Sequence, residues 1–202
     1  MNKKFNVIVV DCPWNFNDAL KMSDTKRSAQ SNYNTMTMEE LQKLPINQIA
    51  DPNGCVLALW CPASLFKCGL EIMEAWEFEH KQIYTWVKSK KKLPKDVQLE
   101  QILSFGMGRL FRGCSEHALI GINSTKIYRN LQNRSQRSVS FASNLGHSSK
   151  PATLQNSLDL MYPLANKIEL FARQERAGWT CLGNQCPSTL GEDIFESLAK
   201  LM

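Results

Sequence analysis

The stretch "NVIVVDCPW", residues 6–14, frames the reading of the whole chain. Its first half is a short run of β-branched residues, and continuous apolar runs mark strands that are covered on both faces. The run then stops on Asp11, Cys12, Pro13 and Trp14. Open α/β sheets place their ligands at the carboxyl ends of strands. A carboxylate, a rigid ring and a large aromatic at such an end therefore form a candidate site. A plain strand-ending turn whose Trp caps the core explains the same four residues equally well in isolation.

Outward from this point the pattern alternates. Apolar runs at 6–10, 55–61, 82–87, 117–122, 167–172 and 179–184 predict strands. Between them, "TMEELQKLPINQIA" carries Thr37 as an N-cap with Glu40 three residues on, the spacing of a capping box. "ASLFKCGLEIMEAWEF" sets Leu65, Leu70, Met73 and Trp76 at helical intervals, and a further helix runs between Pro151 and Pro163. The tail "GEDIFESLAKLM" reads as a short amphipathic helix. Strand alternating with helix predicts an α/β fold with a doubly wound, mostly parallel sheet. Residues 15–36 and 124–149 are polar and aperiodic, and long loops of this kind beside motif residues point to functional loops. "GMGRLFRG" (106–113) lacks the third glycine of a dinucleotide fingerprint and reads as a flexible loop.

The chain's 202 residues fit one globular domain spanning 1–202, and 43% hydrophobic with 21% charged residues place it among folded, non-fibrous chains. No apolar stretch reaches bilayer-spanning length, and the amino terminus reads as a strand and not a signal peptide, so a cytoplasmic protein is expected. Seven scattered Cys without a CxxC pair, and three His far apart, suggest neither a disulfide framework nor a metal site. The net charge of +5 is unevenly placed. Between Glu116 and Asp159 there is no acidic residue, while Lys126, Arg129, Arg134, Arg137 and Lys150 fall in that interval. A second basic cluster occupies 88–95. Such stretches suit a polyanion, since phosphate neutralisation supplies much of nucleic-acid affinity.

An Asp-x-Pro-Trp turn offers a definite chemistry. The exocyclic amine of a nucleobase is a poor nucleophile because its lone pair is delocalised into the ring. Two acceptors aimed at its protons draw the nitrogen toward tetrahedral geometry. Asp11 offers a side-chain acceptor, and the Cys12 carbonyl, held by Pro13, offers a backbone one. Trp14 offers a stacking wall, an interaction worth about 1–3 kcal/mol per base. A base taken out of its strand needs such a slot.

"DCPW", "YNTM", "LALWCPA", "WVKSK", "SEHALIGI", "HSSKP" and "KIELFARQERAGWTCLGNQ" follow one another in the order seen in the MT-A family of adenine-N6 methyltransferases. The chain resembles that family from Val7 to about Gln185. The resemblance implies a Rossmann-like sheet with permuted motif order, S-adenosyl-L-methionine as cofactor and a nucleic-acid substrate. Carried onto these residues, Asp11, Cys12, Pro13 and Trp14 form the amine pocket, and Tyr33 closes a loop over the target. Lys150, Phe171, Arg173, Asn184 and Gln185 bind the cofactor. Lys88 and Glu116 flank the substrate channel, and Arg129, Arg134 and Arg137 join Lys88 as nucleic-acid contacts. Read singly, Glu116 could instead pair with Arg112, and Lys150 could merely start a helix.

Two departures bear on activity. Cys12 stands where the family usually has a second Pro, so φ is not locked there. The chain also begins ten residues before Asp11, whereas family members often carry an upstream segment. Its compactness is similar to bacterial and phage members, which makes DNA the expected substrate ahead of RNA. The alternative is a catalytically silent scaffold of the same fold.

Overall fold

The computed structural model describes residues 3–15, 35–90, 102–106, 110–143 and 149–202. Seven strands among them form one sheet: β1 (Val7–Val10), β2 (Val56–Cys61), β3 (Glu79–Ser89), β4 (Ser115–Ile122), β5 (Val139–Ser143), β6 (Lys167–Leu170) and β7 (Trp179–Leu182). Their order across the sheet is β5-β3-β4-β2-β1-β6-β7. β1 runs parallel to β2 and β6, β7 parallel to β6, and β5 parallel to β3. β4 is antiparallel to both its neighbours. The sheet is thus mostly parallel, as expected, with one reversed strand.

β1 shows why its sequence is apolar at every position. Ile8 and Val10 enter one core cluster, Val7 and Val9 the other, and all four are fully buried. The first cluster is covered by helices α1 (Met38–Gln42), α2 (Ile46–Ile49), α3 (Phe66–Ala75) and α5 (Ile194–Ala199) through Leu41, Ile49, Ile72 and Leu198. Helix α4 (Thr153–Met161) covers the second through Leu154 and Leu158. The sheet is therefore doubly wound. No helix among the described residues is long and apolar enough to cross a membrane.

Local signals set most boundaries. The Thr37 hydroxyl accepts the Glu40 amide at 3.2 Å while the Glu40 carboxylate accepts the Thr37 amide at 2.7 Å, completing the capping box. Pro45 then divides the predicted helix in two by standing as the N-cap of α2. In α3 the expected stripe holds except at one position: Met73 and Trp76 are buried and Leu65 packs against the core, but Leu70 is 43% exposed, and Gly69 and Ile72 are buried instead. The stretch 124–149 is no uniform loop: it holds a 3-10 helix (Thr125–Asn130) and the edge strand β5. The ends of "GMGRLFRG" are tied by an antiparallel bridge between Gly106 and Gly113.

The junction of β6 and β7 depends on one glycine. A Cβ at Gly183 would lie 2.2 Å from the Ala172 carbonyl oxygen and 2.6 Å from the Ala172 nitrogen. The two strand exits can therefore touch, and the Ala172 amide donates to the Leu182 carbonyl at 2.9 Å. Just before it, Phe171 takes a left-handed conformation at φ 59°, and β6 ends at Leu170, two residues before the predicted apolar run does.

Candidate active site

Because β4 is reversed, its first residues share an edge with the carboxyl ends of its neighbours. β3 delivers Lys88 there, β4 delivers Glu116, β1 delivers Asp11, and β6 leads into Phe171 and Arg173. Lys150 joins them from the segment that opens α4. Its ammonium donates to both Asp11 oxygens at 2.9 Å and lies 3.4 Å from Glu116 Oε2. Glu116 Oε1 in turn holds Lys88 Nζ at 2.6 Å. The result is a chain of alternating charge, Lys88–Glu116–Lys150–Asp11. Both lysines also lie near indole rings, Lys150 at 5.6 Å from the Trp60 centroid and Lys88 at 5.4 Å from that of Trp86. The bland pairing of Glu116 with Arg112 is replaced by these two lysines.

Burial disfavours the Lys150 ammonium, but Asp11 and Glu116 outweigh it and raise its pKa above the ordinary lysine value. Burial likewise opposes the Glu116 carboxylate, and Lys150 and Lys88 overcome that and lower its pKa. Both groups are therefore charged at neutral pH. Glu169, in the middle of β6, differs: burial is the leading influence and raises its pKa.

The tetrapeptide is tightly braced. The Asp11 amide donates to the Leu170 carbonyl at 3.4 Å, and the Pro13 carbonyl accepts the Met36 amide at 2.9 Å. The Trp14 amide donates back to the Cys12 carbonyl at 2.9 Å, leaving that oxygen one further lone pair. Cys12 itself is buried, and burial pushes its thiol pKa well up, so it stays neutral. Trp14 is only 6% exposed, packs in the first core cluster, and donates its indole N–H to the Trp60 carbonyl at 2.9 Å.

A cleft of about 170 Å³ opens beside Asp11, bordered by Trp60, Lys150, Gln155, Glu169, Phe171 and Arg173, among others. Sequence reading had placed Asp11, Lys150, Phe171 and Arg173 in one site, and the structure brings these four together. Asn184 and Gln185 are exposed at the exit of β7, next to Gly183 and outside that lining. Tyr33 lies outside the described residues. Trp60, Gln155 and Glu169 were missed. A carboxylate inside the otherwise apolar run "KIELFA" was the available signal for Glu169; Gln155 carried none. Two buried polar atoms of residues bordering the cleft, Trp60 Nε1 and Gln155 Oε1, have no partner among the described residues. The cleft wall is held by Asp159 of α4, which accepts from Arg176 Nη2 at 2.6 Å and from Trp179 Nε1 at 3.0 Å.

The expected nucleic-acid contacts do not form one strip. Lys88 has 15% of its side chain exposed and pairs with Glu116, so it belongs to the charge chain. Arg129 is exposed on the 3-10 helix that follows the far end of β4, at the opposite edge of the sheet from Asp11. Arg134 and Arg137 are exposed in the segment leading to β5.

A Rossmann-like α/β sheet with an Asp-x-Pro-Trp-type turn and a charged cleft at one edge defines a methyltransferase-like class. The chain belongs to the MT-A70 family, whose model matches residues 5–185. It is 29% identical to an Arabidopsis thaliana protein named N(6)-adenosine-methyltransferase MT-A70-like, over 90% of this chain and 24% of that protein. It is 27% identical to the human N(6)-adenosine-methyltransferase catalytic subunit METTL3, over 90% of this chain and 28% of that protein. It is 26% identical to the type II methyltransferase M.MunI of Mycoplasma sp, over 92% of this chain and 79% of that protein. The chain thus spans about a quarter of the length of the plant relatives. S-adenosyl-L-methionine is the cofactor of MT-A70 methyltransferases.

Proposed function

We propose that this chain is an S-adenosyl-L-methionine-dependent methyltransferase acting on the N6 amine of adenine in nucleic acid, with DNA as the substrate. The observation that carries this reading is Asp11. It stands at the carboxyl end of the interior strand β1, fixed by Lys150 at 2.9 Å, beside a cleft. The preference for DNA rests on M.MunI, the relative whose length this chain nearly spans.

The residues fit the cofactor. Lys150 suits its carboxylate, Glu169 its ammonium, and the orphaned Trp60 and Gln155 atoms its polar groups. The cleft is smaller than the roughly 300 Å³ at which ligand pockets usually begin. Arg173, with Asn184 and Gln185 from outside the lining, would hold the rest of the group. When bound, the cofactor supplies an electrophilic methyl group.

The protein's own contribution is positioning and electrostatics. Asp11 and the free lone pair of the Cys12 carbonyl accept the two amine protons, turning the nitrogen lone pair outward. An ionised carboxylate has about four acceptor sites, so Asp11 can take the amine while Lys150 stays in place. The ammonium of Lys150 fixes the position of the Asp11 carboxylate through both its oxygens. Once the nitrogen carries its methyl group it must shed a proton, and Asp11 is the acceptor already in contact.

The test is expression in a methylation-deficient bacterium, with mapping of methylated adenines in its DNA and in vitro assays on DNA and RNA oligonucleotides. N6-methyladenine that disappears in Asp11→Ala, with cofactor affinity kept, is the expected result. No N6-methyladenine in any substrate, alongside an active control enzyme, refutes the reading.

A further inference from the structure

A larger cleft, of about 370 Å³, lies away from Asp11. Its walls include Tyr84 of β3, Ser140 of β5, Arg137 just before β5, and Thr153, Asn156 and Ser157 on the first turns of α4. Among the described residues, none that lines it is acidic. Asp159, one turn further along α4, is already engaged by Lys167, Arg176 and Trp179. Apart from Arg137 and Val139, the described lining residues carry hydroxyls and amides, with Ser140 Oγ and Thr153 Oγ1 3.1 Å apart across the β5–α4 junction.

Two unrelated observations point to a ligand here. Tyr84 is 5% exposed, yet its buried hydroxyl has no hydrogen-bond partner among the described residues. Burying a hydroxyl unpaired costs about 1–3 kcal/mol, a cost that a ligand acceptor would remove. Separately, α4 starts without a side-chain cap, so its first-turn amides keep their partial positive charge. Arg137 uses one of its five donors on the Ser135 carbonyl at 3.4 Å.

We infer that this cleft is a second binding site, for an oxyanion, and that its occupant is a backbone phosphate of the nucleic-acid substrate held by Arg137. A cation finds no counter-charge among the lining residues, and an apolar ligand finds little but hydroxyls and amides. The cleft shares the first turns of α4 with the cleft beside Asp11, which is bordered by Lys150 and Gln155 of the same segment. A phosphate held here would fix the register of the strand relative to the target base, which is what phosphate contacts do in nucleic-acid interfaces. The identity of the phosphate's source rests on the proposed function; the affinity for an oxyanion does not.

The experiment compares wild type, Arg137→Gln and Tyr84→Phe. Anisotropy of a labelled adenine-containing duplex is followed between 50 and 200 mM NaCl, with cofactor affinity measured by calorimetry. One phosphate contact contributes about 0.9 to the salt slope on a duplex. Wild-type Kd should therefore rise about three-fold more over this range than the Kd of Arg137→Gln. Tyr84→Phe should bind about five-fold more weakly at every salt concentration with an unchanged slope. Cofactor affinity should stay at the wild-type value in both. A salt slope and Kd unchanged in Arg137→Gln overturn the site while leaving the methyltransferase reading intact. Should wild type bind and methylate no nucleic acid, that reading fails, and inorganic phosphate decides the rest. Sodium phosphate, against NaCl of equal ionic strength, must then shift the Arg137 Nε–H resonance in the nuclear magnetic resonance spectrum; no shift overturns the oxyanion site.

Discussion

Replacing Lys150 by Met removes a cation held between two carboxylates and keeps a side chain of similar length. The Lys150 side chain is 16% exposed, Asp11 24% and Glu116 33%. Removing one partner of a fully buried pair costs about 3–5 kcal/mol, because the remaining charge is stranded. Here water reaches both carboxylates and offsets part of that, so about 2–3 kcal/mol is expected. For a chain of this size each kcal/mol lowers Tm by about 2–4 °C, giving a drop of about 4–12 °C. Thermal and guanidinium denaturation at pH 7.5 measure it. The double variant with Asp11→Asn isolates the interaction, since it removes the stranded charge along with its partner. A coupling of about 1–3 kcal/mol is expected between the two positions. If Lys150→Met denatures within about 0.5 kcal/mol of wild type, or if the two effects simply add, the charge chain does not organise the site.

Glu169→Gln should raise Tm at pH 7.5. The folded-state pKa of Glu169 is raised, chiefly by burial, so its contribution to stability is favourable at low pH and lost as pH rises through the folded value. The advantage of Gln should therefore vanish as the pH falls into the ordinary carboxylate range; an advantage independent of pH would contradict this assignment. Gly183→Ala forces a Cβ to within 2.2 Å of the Ala172 carbonyl, so the β6–β7 junction must move. A loss of more than about 1–3 kcal/mol is expected, with cofactor affinity falling further than duplex affinity, as calorimetry and anisotropy would show. Trp14→Phe strands the buried Trp60 carbonyl and should cost about 1–3 kcal/mol in denaturation. Unchanged stability with a higher KM for nucleic acid would instead favour the stacking wall.

Much of this was legible in the residues. The four-residue interruption after β1, the capping box at Thr37 and Glu40, and the Pro-bounded α4 each rest on local chemistry that sequence carries directly. β5 was not legible because it is an edge strand whose residues alternate between exposed and half-buried, so "SVSFAS" shows no apolar run. The reversal of β4 was hidden for a different reason: hydrophobic periodicity is the same in both directions. That reversal is what puts Glu116 against Lys88 and Lys150, so the charge chain could not be assembled from spacing.

The charge chain also has a meaning for folding. Lys150 and Asp11 are 139 residues apart in sequence, and β1 pairs with β6 through registers such as Val7↔Lys167. Loop closure over such distances must come before its contacts can stabilise anything, and non-local pairings of this kind form slowly. The β2–β4–β3 part of the sheet closes over much shorter separations, and it can assemble while Asp11 and Lys150 are still apart. Competence to bind cofactor is consequently a late event, and its appearance during refolding would time the docking of β6 against β1.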